Sequence, residues 1–436
     1  MATNTALSDV SRHIEEAVVS EITLQLVPFL FLLYIIAYLD RINVGFAALQ
    51  MQDQLGFNDT VYGNAAGMFF LGYFLFQIPS NLVLQRIGAK RWICILMVTW
   101  GVVSSCTMFV HTARGFYTLR FMLGLAEAGF FPGVILYLKS WFPAEARART
   151  VAWFMTAAAL SAVVGGPISG ALLELNNKHG LAGWQWMFLL EGVPAIVMGA
   201  VVLLYLTDSP ENAKWLREEH RVWLINTLER ERQNVATGSS VGVVTALNVL
   251  LLSFVYFGLN TCSYGISLFL PKMIRSASSV STFRIGLLTA IPYLAASIAM
   301  VLVGLNSDRT GERRLHTGIS ALVAAGGLVA AAYSTSLPVM MTAMSIAVLA
   351  QFSMLGPFWA MPTSLLRGSA AAAGIAFINS VGNLGGFFGP RILGTLKTSS
   401  GGFKGGLLVV ALTLGLAGCI ALLVQLPKTV SPSTSK

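Results

Sequence analysis

The chain has 436 residues, of which 55% are hydrophobic and 11% charged, and its mean hydropathy is +0.71. Soluble domains carry about 25% charged residues, so a water-soluble enzyme or binding module is excluded and a polytopic helical membrane protein is implied. The formal net charge of +9 does not point to nucleic acid. Its Lys and Arg residues lie in short segments between apolar runs, where they orient a membrane protein.

Residues 1–23 form a polar tail that contains Glu15 and Glu16 and lacks an apolar core run, so no cleavable signal peptide is expected. The first predicted span, near 24–46, carries Asp40, Arg41 and Asn43 near its end. A charge within a span costs about 2.5–3.5 kcal/mol on insertion scales. Such groups usually face a bundle interior or a water-filled cavity, here as Arg41 meeting an anion and Asp40 handling a proton. Pairing that merely holds helices together is the plainer alternative. Further spans are predicted near 60–83, 91–110, 114–138, 149–173 and 184–206. The stretch 207–246 reads as a solvated, partly helical linker. Six more spans follow near 247–271, 284–304, 315–333, 338–362, 370–395 and 405–427, then a short tail, 428–436.

The expected architecture is therefore all-α, with twelve transmembrane helices in two six-helix halves, 24–206 and 247–427. Placing both termini in the cytoplasm puts about eighteen Lys and Arg on that side and about eight on the other, as the positive-inside rule prefers. An internal repeat supports the two halves. Arg86, Gly88, Lys90 and Arg91 recur 223 residues later as Arg309, Gly311, Arg313 and Arg314, and Gly166-Pro167 recurs as Gly389-Pro390. Parallel repeats about an axis along the membrane normal are implied.

Span 4 is the second place where charge enters lipid. Arg120 and Glu127 are seven residues apart, so they share a helix face about 10 Å apart along the axis. A cavity lined by Asp40, Arg41, Arg120 and Glu127 is expected. Arg41 offers a planar fork for a carboxylate, whereas a structural ion pair accounts for Arg120 equally well. His13, His111, His179, His220 and His316 all fall outside mid-span positions, so any proton coupling rests on the carboxylates Asp40 and Glu127. Tyr38 and Tyr73 are candidate hydroxyl donors, with Tyr34 also available. Glu191, before Gly192 and Pro194, reads as an interfacial cap or pair. In the second half the polar offerings are neutral: Asn260, Ser263, Gln351, Trp359, Asn379, Ser380 and Asn383. Charge and protons thus belong to the first half, and hydroxyl or ring recognition to the second. Kinks are expected at Pro167 and Pro390.

The stretch Gly304–Arg314, with Asp308, Arg309, Gly311 and Arg314, resembles the signature loop of the major facilitator superfamily. More narrowly, several pieces resemble the bacterial anion:cation symporter family and its tartrate, sugar-acid and aromatic-acid permease branch. They are Asp40-Arg41-Ile42-Asn43, Phe70 to Tyr73 with Gln77-Ile78-Pro79, Glu127 to Pro132, Trp141-Phe142-Pro143, Gly183 to Trp186, Glu191 to Pro194, Pro357 to Trp359 and Gly374 to Gly386. The first signature loop departs from the superfamily pattern at Asn81 and Gln85.

The resemblance implies proton-coupled import of a small organic anion by alternating access. Substrate contacts are expected at Arg41, Tyr38, Tyr73, Arg120, Trp359 and Asn379, proton coupling at Asp40 and Glu127, and gating at Arg86, Asp308, Arg309 and Arg314. An antiporter or exporter on the same fold is the alternative. No HExxH, GxSxG or CxxC constellation occurs, so neither catalysis nor a metal or other cofactor is expected. The expected partners are an organic anion, protons and lipid, without nucleic acid. The expected setting is a monomer in a bacterial inner membrane.

Overall fold

The computed structural model describes residues 2–233, 243–366 and 368–425. Arg367, Lys428, Lys436 and the Gly/Ser part of the linker, all used in the orientation argument or the linker assignment, lie outside the described residues. The first half holds α1 (Ala2–Ile42), α2 (Val44–Leu55), α3 (Asp59–Ile87), α4 (Ala89–Cys106), α5 (Ala113–Glu127), α6 (Phe130–Lys139), α7 (Ala144–Leu173) and α8 (Gly183–Tyr205). A linker helix, α9 (Glu218–Gln233), follows. The second half holds α10 (Val243–Ala277), α11 (Thr282–Thr310), α12 (Arg313–Ala332), α13 (Leu337–Ser353), α14 (Leu355–Leu365), α15 (Gly368–Ser400) and α16 (Lys404–Leu423).

Eleven helical runs among the described residues are long and apolar enough to cross a membrane, and the 33-residue α15 completes twelve. Their outward faces are apolar: Leu204 is 88% exposed and Leu412 64%, which only a lipid environment makes favourable. Local chemistry sets the helix ends. Asn58 accepts from the Val61 amide at 2.9 Å to start α3, and Thr112 accepts from the Gly115 amide at 3.1 Å to start α5. Gly311 closes α11 at φ +73°, a left-handed conformation in which a side chain would be strained.

Three spans are interrupted midway. Span 4 breaks between α5 and α6, and span 10, its counterpart in the repeat, between α13 and α14. Pro132 and Pro357 lie just past these breaks, and each lacks the N–H that would bond to the carbonyl four residues back. Span 1 breaks at Asn43, beside the charged pair. At Pro167 and Pro390, where kinks are expected, α7 and α15 run unbroken. Span 1 is also longer than read from the sequence, an apolar-rich run from His13 to Leu55. Its extension carries Glu21, which meets His220 of α9 at 2.6 Å. Trp141–Trp215 stacking and a bond from the Ala144 amide to Glu231 further strap the linker to the first half.

The two halves meet along α2/α10, α3/α15 and α7/α11. Their close approaches lie toward the face opposite α9, called here the far face. A Cβ on Gly63 would sit 2.4 Å from the Pro390 carbonyl oxygen, and one on Gly286 would sit 2.2 Å from that of Gly166. Glycine is required there because backbone meets backbone. Tyr62 donates to the Leu268 carbonyl at 2.6 Å, and Lys272 pairs with Asp59 and Gln52. Lys397 approaches Asp59 from α15 at 3.7 Å. Toward the linker face, the last hydrogen bond between halves among the described residues is Ser380 to Gln77, at 3.5 Å. Among the described residues, the backbone approaches and ion pairs between the halves thus gather at the far face, with few hydrogen bonds toward the linker face.

Asp59 is the single anion between Lys272 and Lys397 in these contacts. Asp59→Asn is expected to loosen the far face by roughly 1–2 kcal/mol, about 5- to 30-fold in the closed-to-open ratio. Thiol labelling of a Leu268→Cys reporter, buried at the α2/α10 contact, measures it. An unchanged labelling rate would show that the ionic cluster does not hold the face shut.

Candidate functional site

The breaks in spans 1 and 4 bring the ionic residues together. Arg41, at the end of α1, donates from Nη2 to Glu127 Oε2 at 3.0 Å, and Glu127 is the last residue of α5. Nη1 of Arg41 donates across the bundle to the Tyr264 hydroxyl of α10 at 3.3 Å. The guanidinium also lies 5.3 Å from the ring centroids of both Phe69 and Tyr73, and 5.9 Å from that of Tyr38. One cation is thus held by an anion, a hydroxyl and three aromatic faces, in a region where Arg41 and Glu127 are both buried.

Arg120 is 1% exposed, and none of its three side-chain nitrogens has a hydrogen-bond partner in the protein. Its guanidinium carbon lies 5.1 Å from the Phe69 ring centroid. The ion pair considered for it from the sequence is not formed among the described residues. Buried guanidinium donors are seldom left unused; Glu127 and Asp40 act on this group electrostatically without hydrogen-bonding to it.

Asp40 makes its hydrogen bonds on another side of α1 from Arg41, while Glu127 and Arg120 still act on it electrostatically. Consecutive residues on a helix point about 100° apart, so Asp40 turns away from Arg41 and into the first half. Its Oδ1 accepts from Ser104 of α4 at 2.7 Å and from Asn43 at 3.5 Å. Glu191 lies about two turns inside the first end of α8. It is 5% exposed, accepts from Ser169 of α7 at 2.7 Å, and has no cation partner among the described residues.

Around Arg41 the second half contributes aromatic residues and hydrogen-bond donors. Tyr264 packs on Phe70 with ring centroids 4.2 Å apart, and Tyr256 packs on Phe358 and Trp359 at 5.2 and 4.9 Å. Trp359 Nε1 and Asn260 Nδ2 make no close hydrogen bond among the described residues, although Asn260 acts on the Tyr256 hydroxyl. Asn379 makes no hydrogen bond among the described residues, although its neighbour Ser380 reaches Gln77. Tyr264 and Tyr256 were not singled out from the sequence. A signal for Tyr264 was available, since it stands 223 residues after Arg41, the period of the repeat. A pseudo-twofold axis sets such equivalents face to face.

The expected gating residues lie at the linker face without bridging the halves. Asp308 pairs with Arg313 in its own loop at 2.5 Å, and Arg314 donates to the Leu422 carbonyl at the end of α16. Arg86 and Arg309 are exposed and make no hydrogen bond or ion pair among the described residues.

Two pseudo-symmetric helical halves around a buried ionic centre, tightly joined at one face, have the architecture of a membrane transporter. Residues 30–390 match the family pattern of the Major Facilitator Superfamily, and the chain belongs to that family. It is 48% identical over 430 residues to a protein of Agrobacterium vitis named "Putative tartrate transporter", covering 98% of this chain and 96% of that one. It is 35% identical over 418 residues to the inner membrane transport protein RhmT of Escherichia coli K12, covering 95% and 97%. A quinolone resistance transporter of Acinetobacter baumannii is 36% identical over 403 residues, covering 92% and 93%. Among solved structures, a bacterial homologue of the human lysosomal transporter Spinster superposes with a TM-score of 0.76 at 16% identity, covering 93% of this chain and 97% of that one. The xylose transporter XylE of E. coli superposes at 0.71 and 16%, covering 92% and 98%.

Proposed function

We propose that this transporter imports a small organic anion together with protons across a bacterial inner membrane, working as a monomer with the linker face cytoplasmic. The observation that supports the reading is a buried guanidinium whose donors are unused among the described residues. Arg41 shares Glu127, while Arg120 has no anionic partner in hydrogen-bond reach. An entering carboxylate offers those donors acceptors, and the guanidinium fork matches its geometry.

The pairing of Arg41 with Glu127 also supplies a coupling device. When Glu127 is ionised it occupies Arg41, so a substrate carboxylate must compete with it. A proton on Glu127 removes that competitor and frees the fork. The tightly joined far face with Arg41 held by Glu127 is then the state after anion and proton have left toward the linker face. Tyr38, Tyr73 and Tyr264 flank the bound carboxylate, and Asn260 and Trp359 offer donors to hydroxyl groups on the far end of the substrate. Those donors favour a hydroxylated acid, tartrate-like or sugar acid, over a purely aromatic one. The tartrate name of the A. vitis relative agrees with this. The resistance name of the A. baumannii relative favours a second reading, export or exchange on the same site.

A thermal-shift screen of the purified protein against organic acids identifies the substrate, because a ligand that prefers the folded state raises the melting point. Uptake of that acid into proteoliposomes with an inward proton gradient then separates the readings. Stimulation of about tenfold or more by the gradient is expected, and it is lost in Glu127→Gln, in which Arg41 no longer faces a titrating partner. Uptake indifferent to the gradient but dependent on internal anion would replace symport by exchange.

A further inference from the structure

Beyond Arg41 and Glu127, the first half contains a second buried carboxyl cluster. It lies between α1, α2, α4, α7 and α8. Asp40 accepts from Ser104 at 2.7 Å and from Asn43 Nδ2 at 3.5 Å. Asn43 also interacts with Glu191, and Glu191 Oε1 accepts from Ser169 at 2.7 Å. Asp40 and Asn43 are 0% exposed, Ser169 1% and Glu191 5%. The charged groups acting on Asp40 are Glu127, Glu191 and Arg120, whereas Ser169 of α7 and Asn43 are the polar side chains acting on Glu191. Gly192 packs on Ser105 of α4, so α4 presents hydroxyls and no cation to this cluster.

The hydrogen-bond accounting is informative. Glu191 Oε2 and Asn43 Oδ1 are both buried and both unpartnered. With Glu191 ionised, a carboxylate with one unsatisfied oxygen is buried without a cation partner among the described residues. Burying such a charge is far more costly than burying a hydrogen-bonded acid. A proton on Oε2 removes that buried charge and leaves a neutral acid held by Ser169.

We propose that Glu191 is a second proton-holding carboxyl of this carrier, neutral while the far face is sealed and joined to Asp40 through Asn43. Its part in coupling rests on the symport reading above; its protonation does not. Glu191 lies about two turns inside the far-face end of α8, nearer that face than the Arg41–Glu127 pair. It is placed to take a proton when the far face opens and to keep it when the face closes. The substrate site and this cluster would then be linked through one helix break, since Arg41, Asp40 and Asn43 all lie within four residues at the junction of α1 and α2.

The test uses the full-length protein in liposomes. Infrared spectra at neutral pH are expected to show a protonated-carboxyl C=O band that Glu191→Gln removes and Asn43→Leu shifts. Asp40→Asn and Glu127→Gln separate out any bands from those residues. Gradient-driven uptake is expected to fall about tenfold in Glu191→Gln and to recover in part in Glu191→Asp. The wild-type spectrum, titrated with pH, serves if a variant fails to fold, because a carboxyl band that persists at neutral pH supports the proposal and its absence overturns it. Loss of no band in Glu191→Gln, or a wild-type response to the gradient in that variant, also overturns it. Wild-type uptake that ignores the gradient overturns the symport reading instead, and the infrared arm still decides whether Glu191 holds a proton.

Discussion

Arg41→Lys is expected to weaken anion binding about 30- to 1,000-fold, roughly 2–4 kcal/mol, the range for disturbing a buried charge-assisted contact. The reason is geometric. Arg41 uses separate nitrogens for Glu127 at 3.0 Å and Tyr264 at 3.3 Å, with its guanidinium plane stacked among Phe69, Tyr73 and Tyr38. An ammonium keeps the charge but loses the planar fork and much of the stacking. Arg41→Ala should be worse for folding as well, because it leaves Glu127 buried without its cation, and Arg41→Ala with Glu127→Ala should recover part of the stability. Binding of the acid found by the thermal-shift screen gives the number. A lysine variant with wild-type affinity would remove Arg41 as the anchor.

The second large effect concerns motion. Gly286→Leu is expected to stop transport while leaving the halves folded. Its Cβ would lie 2.2 Å from the Gly166 carbonyl oxygen and 3.1 Å from the Pro167 Cα, and backbone atoms cannot rotate away. Overpacking costs about 1–3 kcal/mol or more, equivalent to roughly 5- to 150-fold in population. Gly166 and Gly286 belong to different halves, so the strain is relieved by parting the far face, and the sealed state is lost. A Leu268→Cys reporter should label faster by the same factor. Gly124→Leu provides the contrast. Its Cβ would meet the Phe69 carbonyl oxygen at 1.9 Å within one half, so it should lower the melting temperature rather than shift the conformational balance. If Gly286→Leu transports normally with Leu268→Cys still protected, the far face does not close through this crossing.

Much of the fold was legible because its signals are local or strictly periodic. Lipid allows a spanning helix only when about 20 residues are apolar, so the spans declare themselves. The 223-residue repeat relates residues of like environment, so it revealed two halves without any contact being known. The ionic residues were legible for the same reason, since charge in lipid is costly and stands out. Orientation of side chains was not legible to that degree. Asp40 and Arg41 are adjacent in sequence yet hydrogen-bond to different partners, and Glu191, read as an interfacial cap or pair, bonds to Ser169 between helices. Tyr264 has no charged neighbour along its own helix to mark it, and its bond to Arg41 crosses between the halves.

The amino-acid sequence by itself determined the number of spans, the pairing of the halves and which residues bear charge inside the membrane. Each of these follows from the cost of placing a given group in hydrocarbon, which depends on composition along one helix. Only the tertiary structure decided which charges meet, that Arg41 joins Glu127 and Tyr264, that Arg120 keeps its donors free, and that Asp40 shares a pocket with Asn43 near Glu191. Those outcomes depend on where interrupted helices cross and how far they are rotated about their axes, and crossing angle and rotation are set by packing among helices distant in the chain.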